Sequence, residues 1–273
     1  MSSTLILSII FLYFLGLFTI SHFTKGNDDN QTFFSANKES PWYLVAFGMI
    51  GASLSGITFI SVPGDVGKLE FSYFQVVLGY LVGYFIVAYI LLPVYYQKNV
   101  TSIYEYLKDR FGPVSHKTGA FFFFISRVIG ASFRLFLVAI VLQKFVFESF
   151  KIPFEFTVVL SILLIWVYTN RGGIKTIVWT DTLQTGFMIL SVILTIYFIN
   201  DSLGWNFIEF INSEKFKKFD NIIVNNSLLE RNHFIKSFIG GIFITICMTG
   251  LDQDMMQKNL TYKSLKDAQK NMV

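Results

Sequence analysis

GASLSGITFISVPG, residues 51–64, is the stretch that decides the fold of this 273-residue chain. No charged residue occurs between Glu39 and Asp65, so the stretch lies inside an apolar segment. It nevertheless carries three glycines, three serines, a threonine and a proline. Glycine lowers helix propensity by about 1 kcal/mol relative to alanine, and Pro63 limits the continuation of a helix. The pattern predicts an apolar helix that is weakened along its length.

The weakened helix has two interpretations. In a membrane, a broken helix is tolerated where its freed backbone is buried in protein or lines a cavity, and transporters use the unwound carbonyls to coordinate a cation. Gly51, Ser55 and Thr58 fall roughly on one helical face, which could line such a cavity. Alternatively, the small residues let neighbouring helices pack closely. Composition leaves both interpretations open.

The composition indicates an integral membrane protein. Charged residues make up 15% of the chain, whereas a soluble domain usually carries about 25%. Several apolar runs of about 18 or more residues are nearly free of charge, which is the signature of helices that span a lipid bilayer. We expect an all-α protein with a single transmembrane domain over residues 1–273. Its seven predicted spans are 4–21, 42–64, 71–96, 115–148, 153–170, 175–199 and 234–251.

The basic loops predict the orientation of the spans. Lysine and arginine are concentrated in residues 97–117, in the turn 170–175 and in the tail after Asp254. These regions share one side if the spans alternate, and loops rich in positive charge face the cytoplasm. We therefore predict a bacterial plasma membrane protein whose N-terminus lies outside. Because the basic residues lie in short loops between spans, the basic pI does not indicate a nucleic-acid partner.

Two arginines lie within the fourth predicted span. Arg127 and Arg134 are seven residues apart and share a helical face. An arginine at the bilayer centre costs about 2.5–3.5 kcal/mol on insertion scales, so such residues usually face the bundle interior and have a partner. Arg134 could clamp a substrate carboxylate or phosphate, since guanidinium binds these groups bidentately. It could equally form a structural ion pair.

Further polar side chains lie within other spans. Asp181, Gln184 and Thr185 form a polar stripe at the start of the sixth span. The Asp181 carboxylate could serve a cation as a hard oxygen ligand, or it could form a salt bridge, for example with Arg127. Gln75 in the third span could face a cavity and contact a substrate, or it could bond to a neighbouring helix.

The chain lacks the motifs of an enzyme. It has no H-E-x-x-H, no G-x-S-x-G and no glycine-rich phosphate loop that ends in G-K-[ST]. Its single cysteine, Cys247, excludes an internal disulfide. We expect no enzymatic activity and no organic cofactor.

Four motifs occur in an order that resembles the sodium:solute symporter family. They are GASLSGITFISVPG at 51–64, TSIYEYLKDRFG at 101–112, GGIKTIVWTDTLQT at 172–185 and GLDQDMMQKNL at 250–260. The resemblance implies a leucine-transporter-like fold, built from an extra N-terminal helix and two inverted repeats of helices. It also implies that the first core helix, 42–64, is unwound near its middle. The function implied is sodium-coupled symport of a small polar solute.

The resemblance implies which residues would bind the coupling ion. In the family, backbone carbonyls of the unwound helix contribute to the main sodium site, and these match Gly51 and Leu54. The acidic residue of the W-T-D element matches Asp181, which in relatives serves a second sodium site or the sodium exit route. Sodium is therefore the expected ion.

The resemblance also points to the solute. Relatives that carry sialic acid have hydroxyl residues at positions that match Ser53, Ser55 and Thr58, and an arginine for the substrate carboxylate that matches Arg134. Proline carriers have aspartate where this chain has Ser53, and sugar carriers have a charged–amide pair where it has Ile57 and Thr58. The site residues are thus most similar to the sialic-acid branch, and a carboxylate-bearing solute is expected.

The resemblance covers the N-terminal half of the family fold. Residues 1–273 correspond to the extra helix and the first six core helices, so we expect the remaining helices of the fold to be absent from this sequence. The hydroxyl residues that complete the main sodium site belong to that second half. The alternative function is therefore a truncated membrane helix bundle, or scaffold subunit, that does not transport.

Overall fold

The structure is a computed structural model that describes residues 3–24, 41–54, 56–100, 102–169 and 173–273. All regular structure within these ranges is helical. The first seven α-helices are α1 Ser3–Thr24, α2 Trp42–Ser53, α3 Gly56–Leu69, α4 Phe74–Ile86, α5 Leu92–Lys98, α6 Ile103–Phe111 and α7 Pro113–Leu142. The others are α8 Phe154–Thr169, α9 Gly173–Leu203, α10 Phe207–Asn212, α11 Glu214–Lys217, α12 Phe234–Thr245, α13 Gln253–Asn259 and α14 Leu265–Met272.

The helix break expected in residues 42–64 is present. Helix α2 ends at Ser53, and Leu54 is extended, with φ −85° and ψ 103°. The Leu54 N–H still bonds to the Ile50 carbonyl at 3.0 Å, and α3 begins at Gly56. Pro63 lies inside α3, which continues to Leu69 beyond the predicted end of this span. A proline removes one backbone donor, and membrane helices tolerate this loss.

Helices α4 and α5 form one long apolar stretch with a widened turn. A left-handed residue, Glu70 (φ 54°), and a 3₁₀ turn separate this stretch from α3. Residues Val87–Leu91 form a π-helical turn immediately before Pro93. Proline lacks the N–H that would continue the α-helical ladder, and a π turn is a usual way to accommodate the gap. The stretch ends at Asn99, whose backbone is left-handed.

The length and hydropathy of the helices fit a membrane protein. Among the described residues, four helical stretches are long and apolar enough to span a bilayer: Thr4–Thr24, Ser61–Lys98, Pro113–Phe150 and Thr176–Leu203. A fifth results if Phe234–Gly250 and α13, which are bent by 69°, form one span. The shorter helices Trp42–Ser53 and Phe154–Val167 are also apolar.

The chain divides into two compact units. The first comprises residues 1–38 and 100–180, and the second comprises residues 39–99 and 181–273, so the division falls within α9. In the first unit, α1 packs against α8 and against the π turn Gln143–Phe147. A buried hydrogen bond of 2.7 Å joins the Thr24 and Thr176 hydroxyls. The first unit therefore ties α1 to the start of α9.

The segment after residue 101 forms a capped helix. The Ser102 hydroxyl accepts a hydrogen bond from the Glu105 N–H at 3.2 Å, which caps the N-terminus of α6. Helix α6 packs against the start of α7, where Tyr104 lies against Gly119. Gly112, with φ 86°, makes the turn between the two helices.

In the second unit, glycines bring α4 and α12 into close contact. A Cβ atom at Gly79 would collide with the Phe238 carbonyl, and one at Gly241 would collide with the Val76 carbonyl. One turn further on, a Cβ at Gly83 would lie 2.6 Å from Cβ of Thr245. Small residues that let helix backbones approach are the usual basis of helix association in membranes.

Candidate ion and solute site

The end of α2 lies directly against α9. Gly51 is buried, and a Cβ atom at this position would collide with Oγ1 of Thr185 and lie 3.0 Å from its Cβ. The Thr185 side chain is fully buried, and its hydroxyl donates to the Asp181 carbonyl at 2.7 Å. Thr182 donates to the Leu44 carbonyl at 3.0 Å. Gly51 therefore allows close packing, and the helix breaks three residues later. Coordination of a cation at the break stays a prediction.

A helix break of this kind would offer backbone carbonyl oxygens to a cation. The last carbonyls of a helix lose their intrahelical donors where the chain becomes extended, and Gly51 lies in the last turn before Leu54. The described residues contain no group of three His, Cys, Asp or Glu side chains that could hold a metal ion. A cation at this place would take carbonyl and hydroxyl oxygens as ligands. Such a set suits a hard monovalent ion such as sodium.

The hydroxyl residues expected to contact solute flank the break. Ser53 is the last residue of α2 and is exposed, and Thr58 lies half-buried in the first turn of α3. Leu54 between them is 40% exposed. Ser55 lies outside the described residues. The structure thus brings two of the predicted hydroxyls to the break.

Asp181 forms an ion pair that sequence analysis did not identify. Its Oδ2 lies 2.6 Å from Nζ of Lys258 on α13, and the side chains of Lys258 and Asp181 are 4% and 19% exposed. Arg127, the partner suggested from the sequence, instead lies over the Phe123 ring at 5.3 Å. Lys258 belongs to the basic tail after Asp254, which in the sequence indicates only the orientation of the spans. The carboxylate proposed as a sodium ligand therefore has a tethered ammonium beside it.

Residues 253–273, which we call the 253–273 arm, cover one side of α2. Asp252 caps α13 by accepting the Asp254 N–H at 2.9 Å. Tyr262 donates to the Trp42 carbonyl at 3.2 Å, and α13 and α14 both pack against α2. Burial raises the pKa of Tyr262, so its hydroxyl keeps the proton that it donates. The arm is thus part of the packed interior of the second unit.

A buried polar network holds the arm. Nδ2 of Asn271 contacts Oδ1 of Asn259 at 2.5 Å and Sδ of Met49 at 3.2 Å. The Tyr96 hydroxyl lies 3.1 Å from each of the Asn259 and Tyr262 carbonyls. These contacts connect the arm to α5 as well as to α2. They are long-range contacts that no local sequence pattern could identify.

Arg134 lies on α7, in the first compact unit. Its side chain is exposed, and it forms no ion pair with any residue in the described part of the chain. The structural ion pair considered from the sequence is thus not formed within these residues. A role of Arg134 in solute binding stays a prediction.

Gln75 makes contacts different from those of a solvent-facing binding residue. The side chain is fully buried. Its Nε2 donates to the Ser72 and Asn232 carbonyls at 3.0 Å, and its Oε1 accepts the Val224 N–H at 3.1 Å. These bonds tie α4 to the loop before α12 and favour a structural role. A role in solute binding stays a prediction.

A model of the sodium:solute symporter family matches residues 33–273. The sodium/glucose cotransporter of Vibrio parahaemolyticus is 27% identical, over 93% of this chain and 48% of its own length. The sodium-coupled monocarboxylate transporter 1 of Mus musculus is 26% identical, over 88% of this chain and 38% of its own. The sodium/sialic acid symporter NanT of Aliivibrio fischeri is 26% identical, over 63% of this chain and 34% of its own length. The chain therefore spans about a third to a half of the length of these relatives.

A solved structure shares the fold. It is described as the substrate-bound outward-open state of a Na+-coupled sialic acid symporter, and it superposes with a TM-score of 0.74 at 20% identity. The superposition covers 97% of this chain and 56% of the other. It confirms the leucine-transporter-like architecture that the motifs implied. With the family match over most of its length, the chain belongs to the sodium:solute symporter family.

Proposed function

We propose that residues 1–273 provide ion- and solute-binding parts of a sodium-coupled symporter, which moves a small polar, carboxylate-bearing solute by alternating access. The observation that carries the proposal is the extended backbone at Leu54 between α2 and α3. A helix break is costly in a membrane unless its freed backbone groups have partners. A coupling ion that takes the carbonyls of Gly51 and Leu54 as ligands would supply one.

The carboxylate in the proposed solute is supported by charge. Arg134 lies in an apolar helix without an ion pair among the described residues, and an intramembrane arginine normally has a partner. A carboxylate accepts two parallel hydrogen bonds from guanidinium. Within the second unit, Ser53 and Thr58 offer hydroxyl groups beside the break, which would suit a polar solute. Two of the relatives carry a monocarboxylate or sialic acid by name, whereas a third carries glucose.

The proposal is tested by transport with the full-length gene product in proteoliposomes. An inward sodium gradient should drive accumulation of labelled sialic acid or of a small monocarboxylate, and a potassium gradient of equal size should not. Glucose serves as the uncharged comparison. If no solute binds or accumulates in a sodium-dependent way, the alternative of a helix bundle without transport activity is correct.

The membrane orientation of the helices is proposed independently of the transport activity. We propose that the N-terminus lies outside and the 253–273 arm lies in the cytoplasm of a bacterial cell, because loops rich in lysine and arginine usually face the cytoplasm. A protease site inserted before α1 should be cleaved in intact cells, and one inserted between Lys263 and Ser264 should not. The reverse pattern would invert the topology without affecting the transport proposal.

A further inference from the structure

Lys258 is a buried charged residue in the second unit, and the structure shows its partner. The residue is 3% exposed, and its ammonium contacts Oδ2 of Asp181 at 2.6 Å. A buried ammonium is tolerated only when it is paired and hydrogen-bonded. Its position in the interior therefore depends on the negative charge of Asp181.

This ion pair joins the two elements that surround the end of α2. Asp181 lies one helical turn before Thr185, which contacts Gly51. Lys258 belongs to the 253–273 arm, which bonds to Trp42 through Tyr262 and to Met49 through Asn271. The charge of one carboxylate on α9 thus stabilises the arm against the helix that breaks at Leu54.

Lys258 has a second acidic group within reach. Asp254 lies four residues earlier on α13 and is exposed. Residues spaced by four in a helix are neighbours on its surface. An ammonium that leaves Asp181 can therefore pair with Asp254 in solvent, and the movement needs only rotation of a flexible side chain together with loosening of the arm.

We propose that Lys258 is a tethered counter-cation for Asp181, and that a sodium ion which reaches this carboxylate displaces the ammonium and releases the 253–273 arm from α2. The inference rests on the proposed sodium coupling. It makes Lys258 a positioning residue, because the residue acts on the ion through Asp181 and touches no solute. Without sodium, the ion pair between Lys258 and Asp181 holds the 253–273 arm against α2. With sodium at Asp181, the buried ammonium lacks its partner and destabilises the arm in this packed position.

Competition between sodium and the Lys258 ammonium predicts the direction in which the apparent sodium affinity changes on substitution. If Lys258 occupies Asp181 in about nine of ten molecules, the apparent sodium affinity is about tenfold weaker than that of the free carboxylate. Lys258→Met keeps a side chain of similar length and removes the charge. It should therefore lower the sodium concentration for half-maximal uptake. Lys258→Arg retains the cation and should not lower it. A residue that only supports packing would leave this concentration unchanged or raise it when substituted.

Release of the arm is tested by cysteine labelling in the full-length protein. Met272 on α14 is 7% exposed, so Met272→Cys, with Cys247 and any further cysteine replaced, reports when the arm opens. Maleimide should label the introduced cysteine faster in sodium than in potassium. Lys258→Met and Asp181→Asn should react fast in both salts. Lys263→Met is the matched control, since Lys263 is an exposed lysine of the same arm, and it should behave like the unsubstituted protein.

The two proposals fail in different ways. Equal labelling rates in sodium and potassium, in protein that still shows sodium-driven uptake, would overturn the role of Lys258 and leave the symporter proposal intact. An unchanged or higher half-maximal sodium concentration in Lys258→Met would do the same. If sodium does not drive uptake at all, the proposed function fails, and the inference about Lys258 fails with it.

Discussion

Asp181 and Arg134 both place a charge within an apolar helix, yet their surroundings differ. Asp181 has a buried partner, Lys258, at 2.6 Å, whereas Arg134 is exposed and has no ion pair among the described residues. A charge in a membrane helix is costly without a partner. In the proposal made above, a sodium ion that binds Asp181 displaces this internal partner. The proposed partner of Arg134 is the carboxylate of a solute.

Substitution of Arg134 should produce the largest effect. Loss of one partner from a hydrogen-bonded charge pair costs about 2–5 kcal/mol, which is a factor of about 30 or more in affinity. Arg134→Ala should therefore abolish measurable uptake of a carboxylated solute while the protein remains folded. Uptake assays across solute concentrations provide the measurement.

Arg127→Ala is the matched control for Arg134, because Arg127 lies on the same face and contacts the Phe123 ring. It should reduce stability slightly, since a cation–π contact contributes from about 0.5 to about 2 kcal/mol depending on how far it is buried, and Arg127 is half-buried. The solute affinity should stay within about twofold. Unchanged uptake kinetics in Arg134→Ala would remove this residue from the solute site.

Gln75 tests whether a fully partnered polar residue is structural. Gln75→Leu removes three hydrogen bonds to backbone groups, which stabilise the fold by about 1 kcal/mol each. We expect a loss of about 3 kcal/mol in stability, measured by thermal unfolding in detergent, without a change in solute or sodium affinity. A weaker solute affinity at unchanged stability would restore the substrate role predicted from the sequence.

Gly51 tests the close contact that brings α2 to the Asp181 region. Gly51→Ala introduces a Cβ that collides with Thr185, and overpacking of this kind costs typically about 2 kcal/mol. The unfolding temperature should fall, and Thr185→Ala in the same protein should restore part of it. Gly64→Ala is the control, since no atom lies within 4 Å of a Cβ there. Equal stability of Gly51→Ala and Gly64→Ala would contradict the contact between Gly51 and Thr185.

The sequence predicts what is local and misses what is distant. The break at Leu54 follows from glycines, serines and a proline within one apolar run, and the Ser102 cap follows from hydroxyl and acidic residues three positions apart. The contact between Gly51 and Thr185 was not predicted, because it depends on how α2 lies on α9. Similarly, Asp181 was expected to bind a cation or an arginine. Its partner, Lys258, is 77 residues away, in a basic tail that the sequence uses only to predict orientation.

Asp181 itself should give the smallest change and the sharpest comparison with Lys258. Asp181→Ala removes one carboxylate from a route that other oxygens also serve, so the sodium concentration for half-maximal uptake should rise about tenfold, or about 1.4 kcal/mol. Asp201→Ala, at the exposed far end of the same helix, should have no effect. Lys258→Met should shift the concentration in the opposite direction, because it removes the competing ammonium. In the double variant the carboxylate and its competitor are both absent, so the Lys258 substitution should no longer increase sodium affinity. An additive result would mean that the two residues act on sodium independently, and the ion pair would then be a packing contact alone.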